Sequence, residues 1–319
     1  MSKKLTFSRL LYLKIKANQE LSLLKITTMK PYLLLLLCCF SSRLLGQTMP
    51  DTAHRTDFTM ENITFQSVGV TLDGIIFKPK NAYASVVLVH GSGQEAKMKE
   101  MASLLAGNGI AVLTYDKRGV GKSGGVYAGP EVGTNNIDSS NLHLLALDAS
   151  AASNTLLAHL PANHGPLGLL GCSQAGWIIP MAAMENPKVS FMVVFSGPVV
   201  TTLEQLRFQF YTQGNSKFWE THTEAEAREH IHSDPDRYQF AGTDPRDPLS
   251  RLSIKGLWLF GGKDIQVPVG LSIECLDVLK AKGKSYEYQL FTELGHNTAF
   301  SKSKEPVNMA IQWIKNIKM

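Results

Sequence analysis

Five short apolar runs recur along this chain with no regular polar alternation inside them: "VVLV" (86–89), "IAVLTY" (110–115), "LGLL" (167–170), "FMVVF" (191–195) and "LWLF" (257–260). A strand with one wet face alternates apolar and polar residues, whereas a strand covered on both faces does not. The runs therefore predict a mostly parallel sheet with helices on both sides, and the segments between them supply the helices. Leu145, Ala149, Ala152, Leu156 and Leu160 fall on one helical face, and Val307, Ala310, Ile311, Ile314 and Ile317 on another. Ahead of the first run, "NITFQSVGVTLDGIIFKP" (62–79) reads as two strands, the second closed by Pro79. Open α/β sheets hold their ligands beyond the carboxyl ends of their strands, so chemistry is expected just after each run.

Those positions are occupied selectively. "VVLV" is followed by "HGSG" (90–93), and "LGLL" by Gly171, Cys172, Ser173, Gln174, Ala175 and Gly176. "LWLF" leads into "GGKD", ending at Asp264, and a last strand candidate, "YEYQLF" (286–291), leads into "TELGHN" with His296. A serine, an acid and a histidine thus follow successive strands in that order.

Each residue type answers a need of acyl transfer. A serine hydroxyl is a weak nucleophile at its own pKa and needs a base within hydrogen-bond reach. His296 would take that proton and return it to the leaving group, while Asp264 would fix the imidazole tautomer and stabilise its cation. The serine must project from a sharp strand-to-helix turn, which demands small neighbours two residues away. Gly171 and Ala175 meet that demand, and Gly176 adds room. Moving the nucleophile back to Cys172 would put Leu170 and Gln174 at those positions, so sterics select Ser173. The amides of Gln174 and of Ser92, in the Gly91–Gly93 loop, are the expected oxyanion donors, with His90 supporting that loop. Pro180 deletes a helical hydrogen bond in the second turn after Ser173, which predicts a kink.

Rival readings are weaker. Asp244 and Asp247 are alternative acids. His230 and His232 sit in a charged helical stretch that reads as a solvated face rather than a metal site. "KRGVGKSGG" (117–125) contains G-K-S, but a phosphate-binding loop needs glycine five residues before Gly121, and position 116 is Asp. No metal and no cofactor is expected.

With these blocks in place the chain resembles a serine hydrolase of the α/β-hydrolase superfamily. "YDKRGVGKSGG" is similar to that family's D-x-R-G-x-G-x-S loop, and the resemblance implies that Asp116 and Arg118 brace the turn after the fourth strand. "HGSG", "GCSQAGW", "GGKD" and "GHN" match further family blocks, so the likeness extends over about residues 60–319. Within the superfamily it looks most like exported bacterial esterases and prolyl-oligopeptidase-like hydrolases, from which Ala175 departs where glycine is usual.

Net charge is +5, but residues 1–46 hold eight Lys/Arg against one acid, leaving 24 basic and 26 acidic residues beyond them. The body therefore has no electrostatic footprint for a nucleic acid. "MKPYLLLLLCCFSSRLLGQT" reads as a secretory signal: Lys30, an apolar run from Tyr32 to Phe40, then Gly46 before the expected cleavage, with Met29 as a possible start. Its apolar run is too short to span a hydrocarbon core of ~30 Å, so a secreted or periplasmic chain without a membrane span is expected after cleavage. Residues 47–58 read as a polar linker before an α/β-hydrolase domain at 59–319. Of the cysteines, Cys172 and Cys275 would remain in that domain, in apolar surroundings that suit buried thiols better than a bridge.

Residues 199–250 hold no convincing strand and begin with a capping-box pattern, Thr201 and Glu204. Seven aromatics lie there (Phe208, Phe210, Tyr211, Phe218, Trp219, Tyr238 and Phe240), which predicts a short helical lid and suggests an apolar acyl or alcohol pocket. The expected substrate is a small carboxylic ester. Peptidase and thioesterase activities remain open in the same chemistry, with Glu204, Glu220 and Glu224 as candidates to hold a free amino terminus. A hydrolase fold used only for binding is the alternative from another class.

Overall fold

A computed structural model of the chain describes residues 57–129, 132, 136–235 and 240–317. The leader at 1–46, including Met29, almost all of the linker at 47–58, and Tyr238 lie outside the described residues. A hairpin of β1 (Phe58–Ser67) and β2 (Val70–Pro79) comes first. β1 begins at Phe58, one residue inside the stretch read as linker, because the Phe58 ring packs on Phe77 with centroids 5.6 Å apart. Then follow β3 (Ala84–Val89), α1 (Lys99–Gly107), β4 (Ile110–Tyr115), α2 (Ser139–Ala158), β5 (Leu167–Cys172), α3 (Ala175–Glu185) and β6 (Val189–Phe195). Helices α4 (Thr202–Thr212), α5 (Phe218–Thr221), α6 (Glu224–Ser233) and α7 (Arg246–Arg251) precede β7 (Lys255–Gly261). The chain closes with α8 (Val269–Ala281), β8 (Tyr286–Phe291), a 3₁₀ turn at Thr298–Phe300 and α9 (Glu305–Lys315).

The eight strands form one sheet in the order β1-β2-β4-β3-β5-β6-β7-β8. Only the pairings of β2, with β1 and β4, are antiparallel; the rest are parallel. The five apolar runs are the five inner parallel strands, and their alternate side chains serve opposite faces. Val87, Val89, Leu169, Met192, Val194 and Trp258 pack with residues of α2, α3 and α8. Val86, Leu88, Leu170, Phe191, Val193 and Leu257 pack with residues of α1 and α9. Each such fully buried apolar side chain contributes about 1.5–3 kcal/mol relative to exposure, which is what holds the sheet between its helical layers. Pro180 lies inside α3, which continues through it from Ala175 to Glu185.

Strand order decides where the site sits. From β3 the chain moves outward to β4, then crosses back so that β5 pairs with the other side of β3. The strand order therefore reverses at β3 and β5, and a crevice opens beyond their carboxyl ends. Both "HGSG" and Ser173 emerge there.

The turn after β4 is fixed from beneath. Arg118 donates through Nε to Asp148 of α2 at 2.9 Å, makes a second, shorter bond to the same carboxylate, and reaches the Ser67 carbonyl at 3.0 Å. Asp148 is fully buried and Arg118 nearly so, so the two charges depend on each other. Replacing Asp148 by Asn leaves the guanidinium buried without a counter-charge, and the expected cost is about 3–5 kcal/mol in urea unfolding. A midpoint indistinguishable from wild type would contradict it.

Candidate active site

Ser173 is the first of the two residues between β5 and α3, at φ +56°. That left-handed backbone is disfavoured for any residue with a Cβ, and two bonds hold it. The Ser173 amide donates to the Phe195 carbonyl at 2.9 Å, and its own carbonyl accepts from Gly176 N at 2.9 Å. The neighbours are as small as the turn requires. A Cβ on Gly171 would lie 2.5 Å from the Val89 carbonyl and 2.6 Å from Ala175 Cβ, and one on Gly176 would meet Pro198 at 2.6 Å. Ala175 is tolerated because its methyl takes the space that Gly171 leaves empty.

Three side chains from three strand ends meet here. His296 Nε2 lies 3.0 Å from Ser173 Oγ, and His296 Nδ1 lies 2.8 Å from Asp264 Oδ2. Asp264 is buried, and its other oxygen accepts from the amides of Gln266 at 2.7 Å and Val267 at 3.0 Å. Those bonds fix the carboxylate's orientation before it meets the imidazole. With Nδ1–H directed at Asp264, Nε2 is left as the acceptor facing the serine hydroxyl. The rival acids are committed elsewhere or exposed: Asp244 accepts from Arg246 Nε at 2.7 Å, and Asp247 opens α7. The Cys172 thiol is a free, half-buried group whose pKa is raised first by burial and then by the Glu95 carboxylate, which leaves no reactive thiolate.

The "HGSG" loop sits opposite Ser173. His90 is buried, donates from Nε2 to the Tyr115 carbonyl at 2.7 Å and abuts the Tyr115 ring edge-on, tying the ends of β3 and β4 together. Gly91 donates to Glu95 Oε2 at 2.8 Å, and the carbonyls of Gly91 and Gly93 accept from Lys117. The Ser92 and Gln174 amides have no hydrogen-bond partner among the described residues. One lies on the loop after β3 and the other directly follows Ser173, and unsatisfied amides are the kind of donor an oxyanion would use. Asp116 holds the neighbouring turn, accepting from the amides of Lys97 and Lys122 at 3.0 Å each and from Lys97 Nζ at 2.7 Å. Burial opposes its charge, but these donors outweigh it and keep its pKa low. Lys117, Glu95, Tyr127 and Asn136, which assemble this loop, carry no sequence signal of their own.

The aromatics of the insertion pack largely on one another. Phe208 and Phe218 are fully buried against each other and against Ala227, Ile231 and Trp219, forming a small core of their own. Tyr211 packs on Phe218 and on His230, so that histidine stands in an aromatic cluster, and Phe240 joins the main core. These rings bury one another. Trp219 Nε1 donates to the Asp264 carbonyl at 2.8 Å, and Thr212 Oγ1 to that of Ile265 at 2.7 Å, so the insertion is fastened to the acid's loop. Among the described residues no group of His, Cys, Asp or Glu is arranged to hold a metal, and no helix is long and apolar enough to cross a membrane.

This sheet order with a serine on the tight turn after β5 defines the α/β-hydrolase fold. The chain belongs to the serine aminopeptidase S33 family, whose sequence profile matches residues 80–255. None of the curated protein sequences matches it. Among solved structures it is similar to Pyrococcus horikoshii acylaminoacyl peptidase, 16% identical with TM-score 0.58 over 81% of this chain and 41% of that one. It is also similar to a Pyrococcus furiosus esterase, 17% identical with TM-score 0.57 over 84% of this chain and 95% of the esterase. A putative dienelactone hydrolase from Klebsiella pneumoniae, 15% identical with TM-score 0.58, is covered in full by 82% of this chain. The chain thus spans about two fifths of the peptidase but all or nearly all of the two smaller proteins.

The buried His90 makes stability depend on pH. Burial, reinforced by the Lys117 charge, pushes its pKa down to about 3 from 6.5. Between those values the unfolded chain binds a proton that the folded chain refuses, so stability is present above about pH 6.5 and is lost as pH falls. The slope approaches about 1.4 kcal/mol per pH unit. Urea midpoints taken from pH 7 to 5 should fall in the wild type and flatten in His90→Gln; parallel curves would refute it.

Proposed function

We propose that this protein is a serine hydrolase that cleaves carboxylic esters through an acyl-enzyme on Ser173, without a metal or cofactor. The observation that carries the reading is the hydrogen-bonded line Ser173–His296–Asp264, with distances of 3.0 and 2.8 Å, built on a backbone turn strained at Ser173. Oγ of Ser173 attacks the ester carbonyl as His296 Nε2 takes its proton. The resulting oxyanion accepts from the Ser92 and Gln174 amides. Collapse expels the alcohol, which receives the proton from His296, and water repeats the sequence to release the acid. Asp264 stabilises the imidazolium throughout and keeps its own charge.

Esters are preferred over peptides on the state of the candidate amine-binding carboxylates. Glu204 is used by its capping box and faces Arg246 at 3.4 Å, and Glu224 is paired with Arg228 at 3.1 Å. Glu220 is exposed. None of the three is a buried, unpaired carboxylate of the kind that holds a free amino terminus. The helical insertion at 199–250 acts in this reading as a lid over the acyl group, and export through the leader at 1–46 places the activity outside the cytoplasm.

A fluorophosphonate probe should label the wild type and leave Ser173→Ala untouched, while turnover of p-nitrophenyl esters falls by roughly 10⁴-fold or more in that variant. An unlabelled wild type would identify a binding protein instead. Run beside the esters, aminoacyl-nitroanilides should be the poorer substrates; faster cleavage of an anilide than of every ester would reverse the assignment to peptidase.

A further inference from the structure

The loop after β3 is gripped at nearly every backbone polar group. The Gly91 amide is taken by Glu95, the Gly93 carbonyl accepts from Glu95 N at 2.9 Å, and Tyr127 Oη and Asn136 Nδ2 both donate to the Ser92 carbonyl at 2.9 Å. Lys117 supplies the remaining grip. Its ammonium donates to the Gly91 carbonyl at 2.7 Å, to the Gly93 carbonyl at 3.3 Å and to Gln174 Oε1 at 3.2 Å. Lys117 is 2% exposed, so this charge has been brought almost wholly out of water. Withdrawing an ammonium from water costs several kcal/mol, and a neutral donor would tie the same carbonyls together at less expense. Part of that cost is offset by the Glu95 carboxylate, whose charge Lys117 favours, and the ammonium's place on the loop gives it a use beyond tethering.

That use follows from connectivity. The Gly91 carbonyl and the Ser92 N–H are the two ends of one peptide unit. An ammonium bound at the oxygen draws electron density from the nitrogen and makes the N–H a stronger donor, the cooperative effect of linked hydrogen bonds in a low-dielectric interior. Through Gln174 Oε1 the same ammonium is joined to the residue that carries the other unsatisfied amide. We propose that Lys117 is the positioning residue of the oxyanion site: one buried cation that locks both donor segments together and polarises the Ser92 amide toward the developing negative charge. The inference rests on the acyl-enzyme reading above.

The test begins with fluorophosphonate labelling of the wild type, whose absence would remove the acyl-enzyme reading and this inference with it. In a labelled, folded Lys117→Met variant, kcat for p-nitrophenyl acetate should fall by roughly 10–100-fold with KM within about twofold, somewhat less than the ~10²–10³ lost with a whole oxyanion donor. A stalled acyl-enzyme should show its carbonyl stretch at higher frequency than in the wild type, because a weaker donor polarises the carbonyl less, and Lys117→Arg should restore much of the shift. A folded Lys117→Met enzyme with the carbonyl band unmoved would overturn the proposal, since the Ser92 amide would then polarise the carbonyl equally well without the ammonium. Should that variant fail to fold, wild-type protein labelled with 15N-lysine serves instead. The Lys117 ammonium resonance should move when phenylboronate forms its anionic tetrahedral adduct, and a resonance that stays in place refutes the coupling.

Discussion

A left-handed backbone at Ser173 is the constraint around which the site is arranged. At φ +56° an L-residue is about 1–2 kcal/mol less stable than in its ordinary conformations, and the protein meets that with bonds from Phe195 and Gly176 and with empty space at Gly171. The conformation ends β5, starts α3 and stands Oγ clear of the sheet within one residue. Any relaxation toward an ordinary strand end would turn the hydroxyl away from His296. The surrounding close packing, with Pro198 against Gly176 and Val89 against Gly171, makes such relaxation expensive.

The other members of the site arrive by length and register. β7 and β8 are paired in parallel and end close together, at Gly261 and Phe291, so the segments bearing Asp264 and His296 leave the sheet side by side. Asp264 is then oriented by two backbone amides of its own loop before it touches histidine. Local hydrogen bonding thus orients Asp264, and sheet geometry brings His296 to it.

Much of this was legible in the sequence, for reasons that differ by residue. The parallel strands could be read because burial on two faces removes polar alternation, and the turn at Ser173 because sterics forbid bulk at 171 and 175. Lys117 could not be read this way. It occupies the unspecified position of D-x-R-G, and its importance comes from a fold that carries it under a loop 24 to 26 residues earlier in the chain. Glu95, Tyr127 and Asn136 are silent for the same reason. The aromatics at 199–250 were only half legible, because composition reports that rings will be covered without saying by what. Phe208 and Phe218 cover each other.

The bonds from Trp219 and Thr212 to the carbonyls of Asp264 and Ile265 give the insertion a second role. A segment is free to diverge only where it is mechanically independent of its surroundings, and here it is anchored to the backbone of the loop that carries Asp264. Divergence at positions 212 and 219 would therefore disturb the Asp264 loop, whereas the far side of the insertion can drift without that penalty. Selection for new substrates should accordingly accumulate changes away from the two anchors and leave the anchors themselves in place.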